Sequence, residues 1–408
     1  MKRRHFLKSL SALPLGLSGC QYLHYEGFVN PCYSTQLPKH LREHDLVLSV
    51  WDGLDTSQVW DVHTHLVGTG DSHQGPWVNP NRETLDNFWL YLQFQFYLNG
   101  SCANPKEFGT VDETFLMRLQ QLHDDMPAGF RFMLLSFDYY RDAQGNIDKS
   151  QSAFYIPNDY AIEQVKKYPK QFEWIASIHP YREDSVEELE RVKKYNARAI
   201  KWLPGAMGIN PASPQCDRFY DALVKFDIPL LTHAGEEHAV DVPKDQRYES
   251  PLLLRRALER GVRVIFAHCA TLGSSVDTDI SNKASQVSNL DLFARLMDEP
   301  QYAQQVYGDI SAITQVNRDE DMITKIIKRD DWHEQLLYGS DYPLPGVMPL
   351  YSPLQFVYWG FLTEAQSEVL SEVRQYNPIL FDFMLKRLLN IDGNKFSDTV
   401  FETRGKFR

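Results

Sequence analysis

Basic residues do not outnumber acidic ones in this chain. Lys and Arg total 42 against 54 Asp and Glu, for a formal charge of −12. No cationic surplus exists to neutralise phosphates, which disfavours nucleic-acid binding as the main role. Cysteine is scarce, at 5 in 408 residues, so disulfides are not the scaffold. No apolar run is both long and unbroken enough to span a membrane. Leu10 to Leu17 is short and interrupted by Pro14 and Gly16. Residues 342–363 carry no charge, but Pro343, Pro345, Pro349 and Pro353 exclude a straight spanning helix. No Gly-x-Gly-x-x-Gly follows the first strand-like run, so a dinucleotide fold has no support. Internal repeats and low-complexity tracts are lacking too. With 43% hydrophobic and 24% charged residues, the composition is that of a packed globular protein.

The N-terminus reads as an address. Residues 1–19 hold Lys2, Arg3, Arg4 and Lys8 and no acid. Arg3-Arg4-His5-Phe6-Leu7-Lys8 resembles the twin-arginine export signal. Leu17-Ser18-Gly19-Cys20 resembles a bacterial lipoprotein cleavage box, in which the Cys becomes the lipid-bearing first residue. Together they imply an export signal over 1–19, a tether and lead-in over 20–57, and a membrane-anchored lipoprotein facing the periplasm or cell exterior. Gln21 is not acidic, which points to the outer membrane in a two-membrane cell. Cleavage would take the net charge from −12 to −16. The twin-arginine route usually carries proteins already folded, often with a metal inserted. An oxidising compartment also permits a disulfide. Cys32 with Cys102 is the pair least at odds with the pattern, because both lie outside the predicted strands.

Eight β-rich runs follow, at Gln58–Val62, Phe130–Phe137, Phe172–Ile178, Ala197–Leu203, Ile228–Thr232, Arg263–Ala267, Val306–Ile310 and Leu336–Gly339. Several are continuously apolar, as expected of parallel strands buried on both faces. Helical patterns lie between most of them. Asp159–Tyr168 has an apolar stripe, Ser185–Tyr195 opens on a capping box with Ser185 at the cap, and Pro251–Arg260 starts with Pro at helix entry. Strand–helix alternation to eight strands predicts an α/β fold, a (β/α)8 TIM barrel over 58–390, with an open doubly wound sheet as the competitor. Residues 67–129 form a long insertion after strand 1. Its aromatic stretch Phe88–Tyr97 reads as a buried helix ahead of an aromatic substrate platform. Residues 342–363 read as an extended loop partly covering the active-site mouth, and 391–408 as a C-terminal tail.

Candidate chemistry gathers at one end of these strands. His63 and His65 follow strand 1, and side chains two apart on a strand share a face, so both imidazoles can reach one cation. Lys201 ends strand 4, His233 strand 5, His268 strand 6 and Asp341 strand 8. Barrel active sites form at these C-terminal ends. His179 ends strand 3 and reads equally as a substrate contact or a structural residue, while Glu236, Glu237 and His238 after strand 5, like Asp138 and Arg141 after strand 2, read as a solvated loop ahead of a lining of the mouth. Cys269 reads as packing.

On these motifs the chain resembles the amidohydrolase superfamily, and within it the amidohydrolase-related (amidohydrolase-2) family. Asn158–Pro180, Arg198–Pro204 and Gln375–Phe383 are similar to its helix-to-strand-3, strand-4 and closing Asn-Pro segments. The resemblance implies a divalent metal, most simply one Zn2+, held by His63, His65, His233 and Asp341, with Fe or Mn compatible. It implies catalytic roles for Asp341, as proton carrier, for His268, beside the reacting water, and for Lys201. A carbamylated Lys201 with His268 would instead hold a second ion. The expected activity is hydrolysis of an amide, ester or lactone of a small molecule. Decarboxylation of a small unsaturated or aromatic acid is the alternative, and a non-catalytic binding lipoprotein a further one. No nucleic-acid partner is expected, and the membrane only through Cys20. If the export reading holds, Arg3→Lys with Arg4→Lys should leave an uncleaved precursor in the cytoplasm on cell fractionation; normal processing of that variant would reject it.

Overall fold

The computed structural model describes residues 27–33, 36–103, 109–240, 246–280 and 285–407. The twin-arginine motif and Cys20 lie outside these residues. Eight parallel strands form the centre: β1 (Trp60–His65), β2 (Arg131–Leu135), β3 (Phe172–Ile175), β4 (Ile200–Trp202), β5 (Leu230–Thr232), β6 (Val264–Phe266), β7 (Val306–Asp309) and β8 (Leu336–Leu337). β1, β2 and β3 pair in order, and so do β4 to β8. Two seams close the ring. Ala176 bridges Ile200 between β3 and β4, and Thr64 bridges Tyr342 just past β8. The barrel expectation therefore holds, and an open sheet is excluded because both edges are paired.

Each crossover carries a helix. The insertion helix α1 (Phe88–Ser101) precedes α2 (Val111–Asp124), which returns the chain to β2. Then come α3 (Asn158–Lys167), α4 (Ser185–Lys194), α5 (Asp217–Phe226), α6 (Arg255–Glu259), α7 (Asn289–Asp298) and α8 (Glu320–Ile327), with α9 (Glu364–Tyr376) and α10 (Pro378–Leu388) after β8. Part of the expected insertion is thus an ordinary crossover helix, started by a capping box at Thr110 and Glu113. The capping box expected at Ser185 does not form. Asp184 is the N-cap residue, and the Ser185 hydroxyl accepts from Arg218 instead.

Strand 1 lies further along the chain than its apolar run suggested, because His63 and His65 complete it. A register shift between Asp61 and Thr64 marks a bulge against β2. Trp60 and Val62 fill the barrel with Met133, Ile175, Ala199, Leu231, Ile265 and Leu337. Strict alternation would then turn His63 outward; the extra residue lets it join the inward set. The tail closes the opposite end. The Thr403 hydroxyl bonds both the N–H and the carbonyl of Trp60, and Phe407 packs into the barrel's apolar interior.

Cys32 and Cys102 form a disulfide, which fixes the lead-in to the end of α1. The uncharged segment after β8 is compact rather than extended: two 3-10 turns and a short helix, Pro353–Tyr358. The buried Arg374 guanidinium holds it by donating to the carbonyls of Pro345, Val347, Met348 and Tyr351.

His179 is structural. It is fully buried, its Nε2 donates to the Met207 carbonyl at 2.8 Å, and its Nδ1 accepts from the Tyr181 N–H at 3.1 Å. Burial pushes its pKa down to about 4. Below pH ~6.5 the unfolded chain takes up a proton that the folded chain refuses, so this stability is complete above that pH and is lost toward pH 4. Between pH 7 and 5 the loss from this residue should be about 2 kcal/mol. Urea unfolding at the two pH values checks it: His179→Gln should show a correspondingly smaller difference.

Candidate metal centre and pocket

Five of the predicted side chains, His63, His65, Lys201, His268 and Asp341, meet at the C-terminal mouth of the barrel. His65 Nε2 lies 3.0 Å from Asp341 Oδ1, and His63 Nε2 lies 3.5 Å from the same oxygen. One ligand atom from each of His63, His65 and Asp341 falls within 4.8 Å of the others, a spacing that suits one shared cation. Lys201 Nζ sits 3.2 Å from His63 Nε2. His268 Nε2 faces Asp341 Oδ2 across 3.9 Å.

His233 lines the same pocket but falls outside that tight group. Its Nδ1 is 3.4 Å from Glu237 Oε2. Its Nε2 is buried and has no hydrogen-bond partner among the described residues. A buried imidazole nitrogen without a partner is costly, and a fourth ligand position would relieve that cost. The donor set of three imidazoles and a carboxylate fits a divalent transition ion.

The strand that sequence reasoning left empty supplies a central residue. Asp309 ends β7, fully buried, and its Oδ2 accepts from His63 Nδ1 at 2.9 Å. Its Oδ1 accepts from the N–H groups of His268 (2.9 Å) and Ser311 (3.0 Å) and from the Ser311 hydroxyl. With His63 and His268, Asp309 makes a second group able to hold a cation. The signal was present, since Asp309 stands at a strand end as Asp341 does.

These contacts decide which nitrogens carry protons. His63 Nδ1 donates to a carboxylate, so its Nε2 presents a lone pair to the cluster. His268 Nδ1 lies 3.0 Å from the Ser311 carbonyl, which only accepts, so His268 Nε2 is likewise bare toward Asp341. Burial pushes the pKa values of His63, His233 and His268 down, favouring the neutral form that ligates metal. Burial lowers that of Lys201 too. For Asp309 and Asp341 burial acts the other way, but the imidazoles and hydrogen-bond donors around them prevail and hold both carboxyls well below the usual range.

Backbone strain concentrates here. His268, Cys269 and Ala270 follow β6 with φ of 57°, 49° and 51°, and Asp341 has φ 60°. Left-handed conformations are unfavourable for these residue types, and such outliers cluster at functional sites. Gly339 is required for close approach: a Cβ there would lie 2.7 Å from His63 Cβ.

The pocket above this floor has apolar walls, among them Val78, Phe94, Leu98, Phe137, Phe154 and Leu344. Two buried cations, Arg82 and Arg318, also line it; neither stands at a strand end, so no spacing rule marked them. Burial lowers the Arg318 pKa to about 10, which leaves it charged at neutral pH. Glu237 is not in a solvated loop: it is buried in the pocket wall, where its Oε1 accepts from the N–H of Val240 at 3.0 Å. Asp138 lies outside the pocket lining, engaged by the His179 N–H and Arg182. The Phe88–Tyr97 stretch is not a buried helix. Only Phe94, Gly100 and Ser101 of α1 are buried, and Phe94, Tyr97, Leu98 and Ser101 roof the pocket.

A family model described as amidohydrolase matches residues 60–378. No curated protein sequence matches the chain. Among solved structures it is similar to an uncharacterized TIM-barrel protein from Bordetella bronchiseptica, at 12% identity over 77% of this chain and 94% of that one, with a TM-score of 0.46. It is similar also to a probable 2-pyrone-4,6-dicarboxylic acid hydrolase from Acinetobacter baumannii with citric acid bound (14%; 85% and 99%; 0.41). A third is the 5-carboxyvanillate decarboxylase from Sphingomonas paucimobilis (12%; 78% and 96%; 0.42).

His63→Ala and Asp341→Asn should each lose bound metal on elemental analysis of the purified protein, because the remaining ligands make an incomplete site. Asp309→Asn should keep the ligands but weaken metal affinity roughly 10–100-fold through the lost His63 partner. Full occupancy in the first two variants would refute the assignment.

Proposed function

This chain belongs to the amidohydrolase-related family of the amidohydrolase superfamily, and on that premise we propose that it is a metal-dependent hydrolase of a small molecule. The reaction is attack by water on a carbonyl-type bond, in an amide, ester or lactone. The observation that carries this reading is the convergence of His63, His65 and Asp341 on one point at the floor of an apolar pocket. With His233 they would hold one divalent ion, Zn2+ being the simplest match to three imidazoles and a carboxylate. Bound there, the ion would supply Lewis acidity and make water acidic enough to react at neutral pH.

The chain's own groups divide the remaining work. Asp341 Oδ1 is engaged by His65, whereas Oδ2 faces the gap toward His268. Oδ2 is therefore the atom to take a proton and return it to the leaving group. His268 Nε2, a bare acceptor, orients the attacking water and does not donate to a substrate carbonyl in its neutral form. Lys201, buried against His63, carries a substrate-binding or charge-balancing role. The apolar walls exclude bulk water, which strengthens each of these interactions.

A decarboxylase of an unsaturated or aromatic acid is the second reading, favoured by the aromatic walls and by Arg82 and Arg318, which suit a carboxylate. Release of carbon dioxide, against release of acid without gas, separates the two in a substrate screen of the metal-loaded protein. We also propose that the chain is exported and lipid-bearing at Cys20, supported by the RRHFLK and LSGC motifs.

A single-ion site makes a specific demand on Lys201 and His268. Lys201→Ala and His268→Ala should keep about one metal per chain, with His268→Ala slower by on the order of 10²–10⁴ in turnover. Two metals in the parent protein, falling to one or fewer in Lys201→Ala and partly restored by short carboxylic acids, would overturn the single-ion reading.

A further inference from the structure

Helix α1 has 14 residues and no charged side chain. Its underside roofs the pocket with Phe94, Tyr97, Leu98 and Ser101. Tyr97 and Gln93 tie it to the loop after β5, donating to the carbonyls of Ala239 (2.6 Å) and His238 (2.9 Å). At 3.6 residues per turn the opposite face carries Phe88, Trp89, Leu92, Phe96 and Asn99. Phe88 and Trp89 are 53% and 75% exposed, and Leu92 and Phe96 are half-buried. A helix apolar on every side normally lies in a core, and contiguous exposed apolar surface marks a contact site.

The N-terminal lead-in is pinned to this outer face. Asn99 clasps Asn30 through two hydrogen bonds, its Oδ1 accepting from the Asn30 N–H at 2.8 Å and its Nδ2 donating to the Asn30 carbonyl at 3.1 Å. The Cys32–Cys102 disulfide fixes the same end. Phe28 and Val29, beside the clasp, are 58% and 65% exposed. Ten residues separate Cys20 from Asn30, so the two cannot be more than ~36 Å apart.

We propose that the outer face of α1, with Phe28 and Val29, is a membrane-docking surface that rests in the interfacial layer of the bilayer holding the Cys20 lipid. The proposal rests on the lipid-bearing reading of Cys20. Three features favour a bilayer over a second copy of the chain. The tether is pinned to the face itself. Trp and Phe are suited to the membrane interface. The strip measures about 21 by 10 Å, roughly a quarter of the ~800 Å² per partner that a stable protein interface buries. At ~21 Å, α1 is too short to span the ~30 Å hydrocarbon core, so it lies on the surface. A mature chain of net charge −16 gains nothing from anionic lipid, so docking is apolar and insensitive to salt. The lipid supplies retention; the face sets orientation, with the pocket roof against the bilayer.

The test uses the mature chain from residue 20 with Cys20→Ala, which carries no lipid, sedimented with neutral phosphatidylcholine vesicles at low and high salt. It should co-sediment equally at both. Phe88→Ser with Trp89→Ser should lower partitioning roughly 30-fold at an unchanged unfolding midpoint. Should that pair unfold the protein, Trp89→Gln alone should lower it roughly fivefold. No co-sedimentation, partitioning indifferent to these substitutions, or a change of oligomeric mass on making them overturns the docking face. Palmitate labelling of the unmodified protein in cells reads the anchor separately. A labelled protein whose lipid-free form ignores vesicles refutes docking alone. An unlabelled one that binds through Phe88 and Trp89 refutes the anchor and upholds the face.

Discussion

The Asp309 carboxylate is the contact on which the mouth of the barrel depends. It is fully buried and gathers four donors: one ring N–H from β1, one backbone N–H after β6, and a backbone N–H and hydroxyl after its own strand. A buried carboxylate is tolerable only with such saturation, and removing a single partner leaves a charge that the interior cannot solvate. The same bonds hold His63 with its Nε2 lone pair toward Asp341 and Lys201. Protonation states and geometry are therefore set together, before any ligand arrives.

That arrangement is bought with strain and secured from behind. Four non-glycine residues at the ends of β6 and β8 take left-handed φ values. Their surroundings hold them there. Asp61 Oδ1 accepts from the N–H groups of His63 and Ser340, joining β1 to the turn that carries Asp341. Lys386 on α10 donates to the Gly339 carbonyl and to Asp382, with all of these groups buried. Arg374 on α9 spans four carbonyls of the next segment. The helices after β8 thus act as a brace for the C-terminal end of the barrel.

The pocket joins two chemistries in one space. Its floor is polar, with His63, His65 and Asp341 spaced so that they could hold a cation; its walls are aromatic and aliphatic, with Arg82 and Arg318 adding positive charge. Such a site suits a small molecule with an apolar body and a polar or anionic group at the reacting end. The roof comes from the insertion after β1, the part of the chain furthest from a minimal barrel.

Local chemistry made much of this legible from residues alone. Continuous apolar runs such as Phe132–Leu135 read as strands buried on both faces, and eight β-rich runs alternating with helical patterns leave few architectures but a closed barrel. His63, His65, Lys201, His233, His268 and Asp341 were legible because strand ends are marked by where the apolar run stops. Long-range packing decided the rest. The bulge that turns His63 inward depends on pairing with β2, some 70 positions away, and Ser185 loses its cap to Arg218 on another helix. Asp309 looked like any acid after a strand until four donors from three strands surrounded it. Arg82 ends a short 3-10 turn and Glu237 and Arg318 stand on loops, whose course no periodicity records. The exposure of α1 was hidden for the same reason: fourteen uncharged residues specify a preference for apolar surroundings, and only the position of that helix over the barrel mouth determines which of its faces finds them.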